Sequence, residues 1–203
     1  DIAEQNDLIT AIDNMLLFRC VQLLRKTQRH NYATAFFCNV SPNTTADRSF
    51  FPEFIRYLES CPDLAPCLVL ELSQKEIAGL TDEVAGELRR LANAGYRFSM
   101  DQVTDLDFNL DALARQGVQF VKIDGAKLLR TAEERMALGG VRVLKQTMDE
   151  AGIDLIAEKI ETEQMLVELL EYSIDFGQGY LFGEPRLSKD PPPAFVEDMQ
   201  VSA

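Results

Sequence analysis

The chain of 203 residues contains no tryptophan, only one histidine and only four cysteines. The single histidine, His30, is placed at a polar helix end, which argues against a Ser-His-Asp mechanism. The cysteines are Cys20, Cys38, Cys61 and Cys67, which form no C-x-x-C pair and lie in or beside apolar segments. We therefore interpret them as reduced packing residues of a cytoplasmic domain, in preference to a disulfide or a zinc site.

Long hydrophobic runs and positive charge are also scarce. The apolar stretches are as short as "LLF" and "LVL", so these residues predict neither a membrane span nor a signal peptide. Against 33 acidic residues stand 20 basic ones, and the formal net charge is −13. Proteins that bind long nucleic acids neutralise many phosphates with lysine and arginine, so we expect no DNA or RNA partner. A small phosphorylated ligand remains compatible, because bound metal ions can invert the local field.

Helical and strand-like apolar spacing alternate along the chain. Residues 8–26 repeat at helical spacing, and further helices are predicted at 50–60, 82–94, 109–116, 133–151, 163–172 and after the prolines at 191–193. The predicted strands are "TAFFCNV", "CLVLEL", "YRFSMD", "VQFVKID", "IDLIAE" and "IDFG". Gly95, Gly117 and Gly152 stand just before strands, where helix ends need a left-handed backbone.

This alternation predicts an α/β fold with a parallel sheet, in a single domain over residues 1–203. We expect a TIM-like (β/α) barrel. A closed barrel needs eight strands and typically about 250 residues. Since the chain opens on a helix, we expect one or two strands upstream of Asp1. The alternative is an open doubly wound sheet, but no G-x-G-x-x-G or P-loop supports it.

Oxygen-bearing side chains stand at the ends of five predicted strands: Asn39, Glu71, Asp101, Asp124 and Glu158. In a parallel barrel these positions open on one face, where catalytic residues gather. Carboxylates collected there repel one another unless protons or cations compensate them, and hard oxygen ligands suit Mg²⁺, Mn²⁺ or Ca²⁺. The alternative is that each acid only caps the following helix. We favour the shared site, because strand alternation also places Lys122 on the same face as Asp124.

Six ordered motifs carry a family resemblance: "NVSP", "LVLELSQ", "FSMDQV", "VKID", "IAEKIET" and "QGYLFGEP". They resemble the NLS, LEITE, DDFGTG, KID, AEGVET and QGY signatures of EAL domains, bacterial barrels that bind or hydrolyse cyclic di-GMP. The resemblance runs from "AEQNDLI" onward and implies a TIM-like barrel of the EAL type. The E-A-L segment itself is expected upstream of Asp1.

The resemblance also implies roles for individual residues. Asn39, Glu71 and Asp101 would hold one metal, Mg²⁺ or Mn²⁺, together with the upstream glutamate. Asp101, the residue after it and Asp124 would hold a second metal. Lys122 would orient the water, and Glu158 would act as the general base.

The same resemblance assigns the ligand-binding side of the pocket. Glu161 would steady the loop after "FSMDQV", while Gln178 and the turn with Glu184 and Pro185 would line the pocket beside Asp101, Lys122, Asp124 and Glu158.

The chain departs from the family pattern at several of these positions. Gln102 replaces the second aspartate, and a neutral amide is a poor substitute for a bridging anion between two metals. The loop "QVTDLD" lacks both glycines of DFGTG, Gln74 replaces the second glutamate of LEITE, and Lys159 replaces the glycine of AEGVET. We therefore expect the second metal site to be impaired.

Three functional interpretations remain at this stage. The favoured one is a non-hydrolytic domain that recognises cyclic di-GMP and changes the binding of a protein partner. The others are an active or slow phosphodiesterase and an interaction module without nucleotide binding. Among degenerate EAL domains the pattern resembles a flagellar regulator. That resemblance implies a partner in flagellar or cell-pole assembly, an upstream tether to the inner membrane and a possible homodimer.

Overall fold

The computed structural model describes residues 8–28, 35–134 and 140–184. Its strands form one parallel sheet in chain order, curled into part of a barrel. The strands are β1 (Phe36–Asn39), β2 (Leu68–Ser73), β3 (Arg97–Asp101), β4 (Val118–Asp124), β5 (Asp154–Glu158) and β6 (Phe176–Gly177). Every strand therefore ends at the same edge of the sheet.

Helices connect successive strands, as parallel pairing requires. They are α1 (Leu8–Gln28), α2 (Pro42–Ala46), α3 (Phe50–Glu59), α4 (Gln74–Ala78), α5 (Asp82–Asn93), α6 (Leu110–Arg115), α7 (Gly125–Glu134), α8 (Gly140–Glu150) and α9 (Glu163–Leu170). Polar caps set several of their starts. Thr81 and Thr162 accept hydrogen bonds from the first turns of α5 and α9, and Ser73 forms a capping box with Glu76 at α4.

The sheet is apolar on both faces. The large core lies between the sheet and its helices and includes Leu70, Phe98 and Leu155, each at most 1% exposed. A smaller cluster of Val69, Phe120 and Ile156 fills the inner face of the curl. Strands buried on both sides read as nearly continuous hydrophobic runs, which explains the composition of β2 and β4.

The structure confirms the parallel α/β sheet and all six predicted strands. Gly95, Gly117 and Gly152 have φ of 92°, 85° and 69°, as their places before strands predicted. The described cysteines are free thiols. We find no helix among the described segments with the length and hydropathy to span a bilayer.

The prediction of one long helix at 133–151 is wrong. Residues 125–134 form α7 directly after β4, and α8 begins only at Gly140. The prediction ran through the glycine pair at 139–140, where a helix interior would be weak. The short helices α2 and α4 were also missed, because five residues carry too little periodicity. His30 and the helix predicted after 191–193 lie outside the described residues.

Candidate functional site

Polar side chains gather at the carboxyl edge of the sheet. Asn39, Asp101, Asp124 and Glu158 are the last residues of β1, β3, β4 and β5, and Glu71 lies two residues before the end of β2. The register pairs Asn39 with Glu71 and Asp124 with Glu158 across adjacent strands. The sequence prediction of their shared edge is confirmed, whereas the role of each residue stays a prediction.

Lys122 forms the buried centre of this group. Its Nζ lies 2.8 Å from Glu71 Oε2 and 3.8 Å from Glu158 Oε1. Lys122 and Glu71 are only 5% and 3% exposed, and the ammonium also stands 4.8 Å from the centre of the Phe37 ring. An ion pair removed from water in this way depends on both partners, since either charge alone would be costly to bury.

Three carboxyl groups share the remaining space. Asp101 lies close enough to Glu71 and Glu158 to raise the pKa of both carboxyl groups. Burial raises the pKa of Glu71, and Lys122 offsets only part of that rise. Burial, followed by the charge of Asp101, raises the pKa of Glu158 from 4.5 to about 7. Two carboxyl groups can share a hydrogen bond only with a proton between them, so this cluster takes up a proton or a cation readily.

Asp124 has a cationic partner that sequence reasoning did not assign. Lys159 Nζ lies 2.9 Å from Asp124 Oδ2. Partial burial raises the pKa of Asp124, but hydrogen bonds from Lys159 and from the backbone of Lys127 outweigh it, and the net pKa is lowered. Lys159 has φ of 56°, the backbone region that glycine favours. The glycine of the resembling AEGVET motif was the available signal for this conformation.

Gln102 also adopts a left-handed backbone, with φ of 52°. Its backbone N–H donates to Asp101 Oδ1 at 2.5 Å, so one carboxylate oxygen of Asp101 is engaged by its neighbour's amide. The Gln102 side chain brings no charge to the space between Asp101 and Asp124. Where the resembling pattern has an anion, this chain has a neutral group.

The loop after β3 is held by two side chains. Gln74 Oε1 accepts from the backbone N–H groups of Thr104 at 2.8 Å and Asp105 at 3.0 Å, and its Nε2 donates to the Asp105 carbonyl at 2.6 Å. Lys127 Nζ donates to the carbonyls of Val103 and Thr104. Glu161, expected to steady this loop, is exposed, and its role stays a prediction.

The ligand-side residues lie past β5 on an exposed segment. Gln178 and Glu184 are exposed, and Pro185 lies outside the described residues. The backbone of Gln178 links to β5 and its continuation, because its N–H donates to the Ala157 carbonyl and its carbonyl accepts from Ile160 N–H. A Cβ added at Gly179 would collide with the backbone of Ile160, so this close approach requires glycine.

The types of donor side chain suit a divalent cation better beside Glu71 than beside Asp124. Glu71, Asp101 and Glu158 offer hard oxygen ligands of the kind Mg²⁺ and Mn²⁺ prefer. In the described part of the chain, no three acidic, histidine or cysteine side chains close around a single point. At the second position Gln102 is neutral and Asp124 already pairs with an ammonium, so these residues do not fit a second metal.

Comparisons with known proteins identify the family. The model of the EAL domain family matches residues 1–185. The chain is 21% identical over 187 residues to a cyclic di-GMP phosphodiesterase, PdeA, of Borreliella burgdorferi, which covers 91% of the chain and 28% of that protein. It is 24% identical to the cyclic di-GMP phosphodiesterase NbdA of Pseudomonas aeruginosa, covering 91% of the chain and 24% of NbdA. The chain thus spans about a quarter of these relatives.

Solved structures agree on the architecture. The EAL domain of Xanthomonas citri FimX, crystallised in complex with cyclic di-GMP, superposes with a TM-score of 0.76 at 21% identity. That match covers 94% of this chain and 76% of the FimX chain. The family match, the curled parallel sheet and the acidic edge agree with one another, and the chain belongs to the EAL domain family.

Proposed function

We propose that this EAL domain binds cyclic di-GMP and does not hydrolyse it. The observation that carries this proposal is the ion pair between Lys159 and Asp124 beside the neutral Gln102. A two-metal phosphodiesterase needs charge-compensated metals about 3.5–4 Å apart to activate water and stabilise the leaving oxygen. Here one acidic ligand is absent and another is already compensated by a tethered ammonium.

Binding makes smaller demands than catalysis. A nucleotide site needs a shaped cleft, polar groups that fix orientation and partial neutralisation of the phosphates. A cleft of about 420 Å³ opens beside Lys122, Asp124 and Glu158. Gln74 and Lys127 fix the loop at its rim. FimX, which shares this fold, was crystallised with cyclic di-GMP on its EAL domain, which supports the same ligand class here.

In this proposal, cyclic di-GMP changes how the domain binds a protein partner. The resemblance to flagellar regulators makes flagellar or cell-pole assembly the partner class that we propose. In this arrangement the domain faces the cytoplasm, is tethered to the inner membrane by an upstream segment and forms a homodimer. Co-purification of the full-length protein with and without the nucleotide tests whether a partner responds.

One observation favours a second candidate, a slow phosphodiesterase. Burial raises the pKa of Glu158 to about 7, which suits a general base at neutral pH. Lys122 stands 3.8 Å from the same carboxylate and could hold a water. This candidate needs one metal at Glu71 and Asp101 to supply enough stabilisation of the developing charge, with no help from Asp124.

Isothermal titration with cyclic di-GMP, run beside chromatographic detection of the linear dinucleotide, separates the candidates. Micromolar binding without product supports the non-hydrolytic proposal, whereas steady product formation in Mg²⁺ or Mn²⁺ refutes it. Gln102→Asp alone is expected to leave turnover far below that of an active EAL enzyme, because Lys159 still occupies Asp124. Full turnover in that single variant would show that the second metal position was never impaired.

A further inference from the structure

The cleft beside Asp124 is richer in basic side chains than the strongly acidic chain as a whole. Its lining includes the basic residues Lys122, Lys127, Arg130 and Lys159 and the acidic residues Asp124 and Glu158, and Lys122 is already paired with the buried Glu71. The chain as a whole carries a formal charge of −13. A concave surface with the opposite sign to the rest of the molecule concentrates anions through the focusing of its field.

Lys159 is the member of this group that can reach both the carboxylates and a ligand. Its ammonium uses one contact on Asp124, at 2.9 Å, and an ammonium has three N–H donors. The side chain is 69% exposed, so the remaining donors are open to the cleft. The left-handed backbone at φ of 56° sets the direction in which this side chain leaves β5.

Lys127 and Arg130 add charge from α7. They are three residues apart on α7, which places them on one face of the helix. Lys127 is tied to the loop carbonyls of Val103 and Thr104 and contributes a fixed charge. Arg130 is exposed, and its planar guanidinium matches the geometry of phosphate oxygens.

These positions favour an anion over a second divalent cation. A metal beside Asp124 would meet the ammonium of Lys159, which lies 2.9 Å from that carboxylate, in a cleft that Lys127 and Arg130 also line. A phosphodiester oxygen in the same place would meet complementary charge and open N–H donors. The Lys159 ammonium beside Asp124 thus compensates the negative charge of the phosphate, as a metal ion would otherwise do.

We propose that Lys159 and Arg130 hold one phosphate of the cyclic dinucleotide, so that binding is independent of divalent metal. This inference rests on the proposed function, since it concerns the same ligand and cleft. It goes further in naming the phosphate-binding residues and in predicting tight binding under chelation.

The test is titration of the full-length protein with cyclic di-GMP in excess EDTA and again in excess Mg²⁺. The unaltered protein is expected to bind with the same affinity, within about threefold, because no metal takes part in the phosphate contact. Lys159→Met is expected to weaken binding in EDTA by about tenfold or more, since a charge-assisted hydrogen bond is lost. Arg130→Met is expected to act in the same direction.

Arg115→Met is the matched control. Arg115 is also exposed and lies at the end of α6, which precedes β4 and so stands at the opposite end of that strand from Asp124. The Arg115→Met variant loses one positive charge, as the Lys159 and Arg130 variants do, without altering the cleft. Its affinity for cyclic di-GMP is expected to equal that of the unaltered protein. Lys159→Gly, which relieves the left-handed backbone, provides a second variant at position 159 should the methionine variant fold poorly.

A readout without nucleotide comes from titration with Mn²⁺ alone. The double variant Gln102→Asp, Lys159→Gly is expected to bind one Mn²⁺ more than the unaltered protein. Equal Mn²⁺ stoichiometry, or equal nucleotide affinity of the Lys159 and Arg115 variants, overturns the inference. Binding that disappears in EDTA overturns it while leaving the proposed function intact, whereas no binding in either buffer refutes both.

Discussion

Replacing Lys122 by methionine tests the electrostatic centre of the site. Methionine preserves the length of the side chain but leaves Glu71, which is 3% exposed, without its ammonium at 2.8 Å. The buried Glu71 carboxylate can then avoid an unpaired charge only by taking up a proton. From its ordinary pKa of 4.5, protonation at pH 8 costs about 5 kcal/mol and at pH 5.5 about 1.4 kcal/mol, at 1.36 kcal/mol per pH unit.

We therefore expect Lys122→Met to lower the free energy of unfolding by about 3–5 kcal/mol at pH 8 and by about 1–2 kcal/mol at pH 5.5. The upper figure agrees with the cost of breaking a buried ion pair by removing one partner. Urea unfolding followed by circular dichroism, at both pH values and in EDTA, measures the difference.

Arg90→Met provides the control on the surface. Arg90 pairs with Glu59 at 2.5 Å and with Glu87 at 2.7 Å, but its side chain is 48% exposed. Solvent screens such pairs, and their loss costs less than about 1 kcal/mol with little dependence on pH. A Lys122→Met effect as small as this, or of equal size at both pH values, would refute the reasoning.

Three further predictions concern the carboxyl cluster, the loop after β3 and the turn after β6. The pKa of Glu158 is raised from 4.5 to about 7, so the folded state holds this proton more tightly and stability falls as the pH rises through that window. Glu158→Gln should flatten the fall in urea midpoints between those pH values, and parallel curves for both proteins would contradict the assignment. Gln74→Ala removes the hydrogen bonds at Thr104 and Asp105, so hydrogen exchange should speed up at those two amides while the β-strand amides keep their protection. Unchanged exchange there would mean that Lys127 alone holds the loop. Gly179→Ala should lower the free energy of unfolding by more than about 2 kcal/mol because its Cβ meets the Ile160 backbone, whereas Gly86→Ala, with open space around it inside α5, should be neutral or stabilising by about 1 kcal/mol.

The sheet was predictable because its signals are local. Short apolar runs are bounded by polar or glycine residues, and every predicted strand overlaps an observed one. The helices around position 139 were not predictable in the same way. The apolar spacing continues across the glycine pair, and only the packing of α7 against α9 and β4 shows that a helix starts at Gly125.

The residues that form the candidate site could be predicted from the sequence, but the ion pairs between them could not. Strand ends placed Asn39, Glu71, Asp101, Asp124 and Glu158 at one edge, because parallel strands share a direction. Which cation compensates which carboxylate depends on register and backbone direction. Lys122 on β4 reaches Glu71 on β2, and Lys159 reaches Asp124 from a position with a left-handed backbone. A substitution at a glycine position signals such a turn but does not reveal the target of the new side chain.

Two of the departures from the family pattern share one backbone property. Gln102 and Lys159 both carry positive φ, at 52° and 56°, in loops that leave β3 and β5. Residues other than glycine are strained there, and such strain concentrates at functional sites. Restoring glycine at position 159 relieves that strain while removing only an exposed ion pair, and exposed pairs contribute little to stability. Lys159→Gly should therefore fold at least as well as the unaltered protein. The Lys159 side chain contributes little to the stability of the fold. Its presence at a position that favours glycine is then explained by the contacts that its ammonium makes in the cleft.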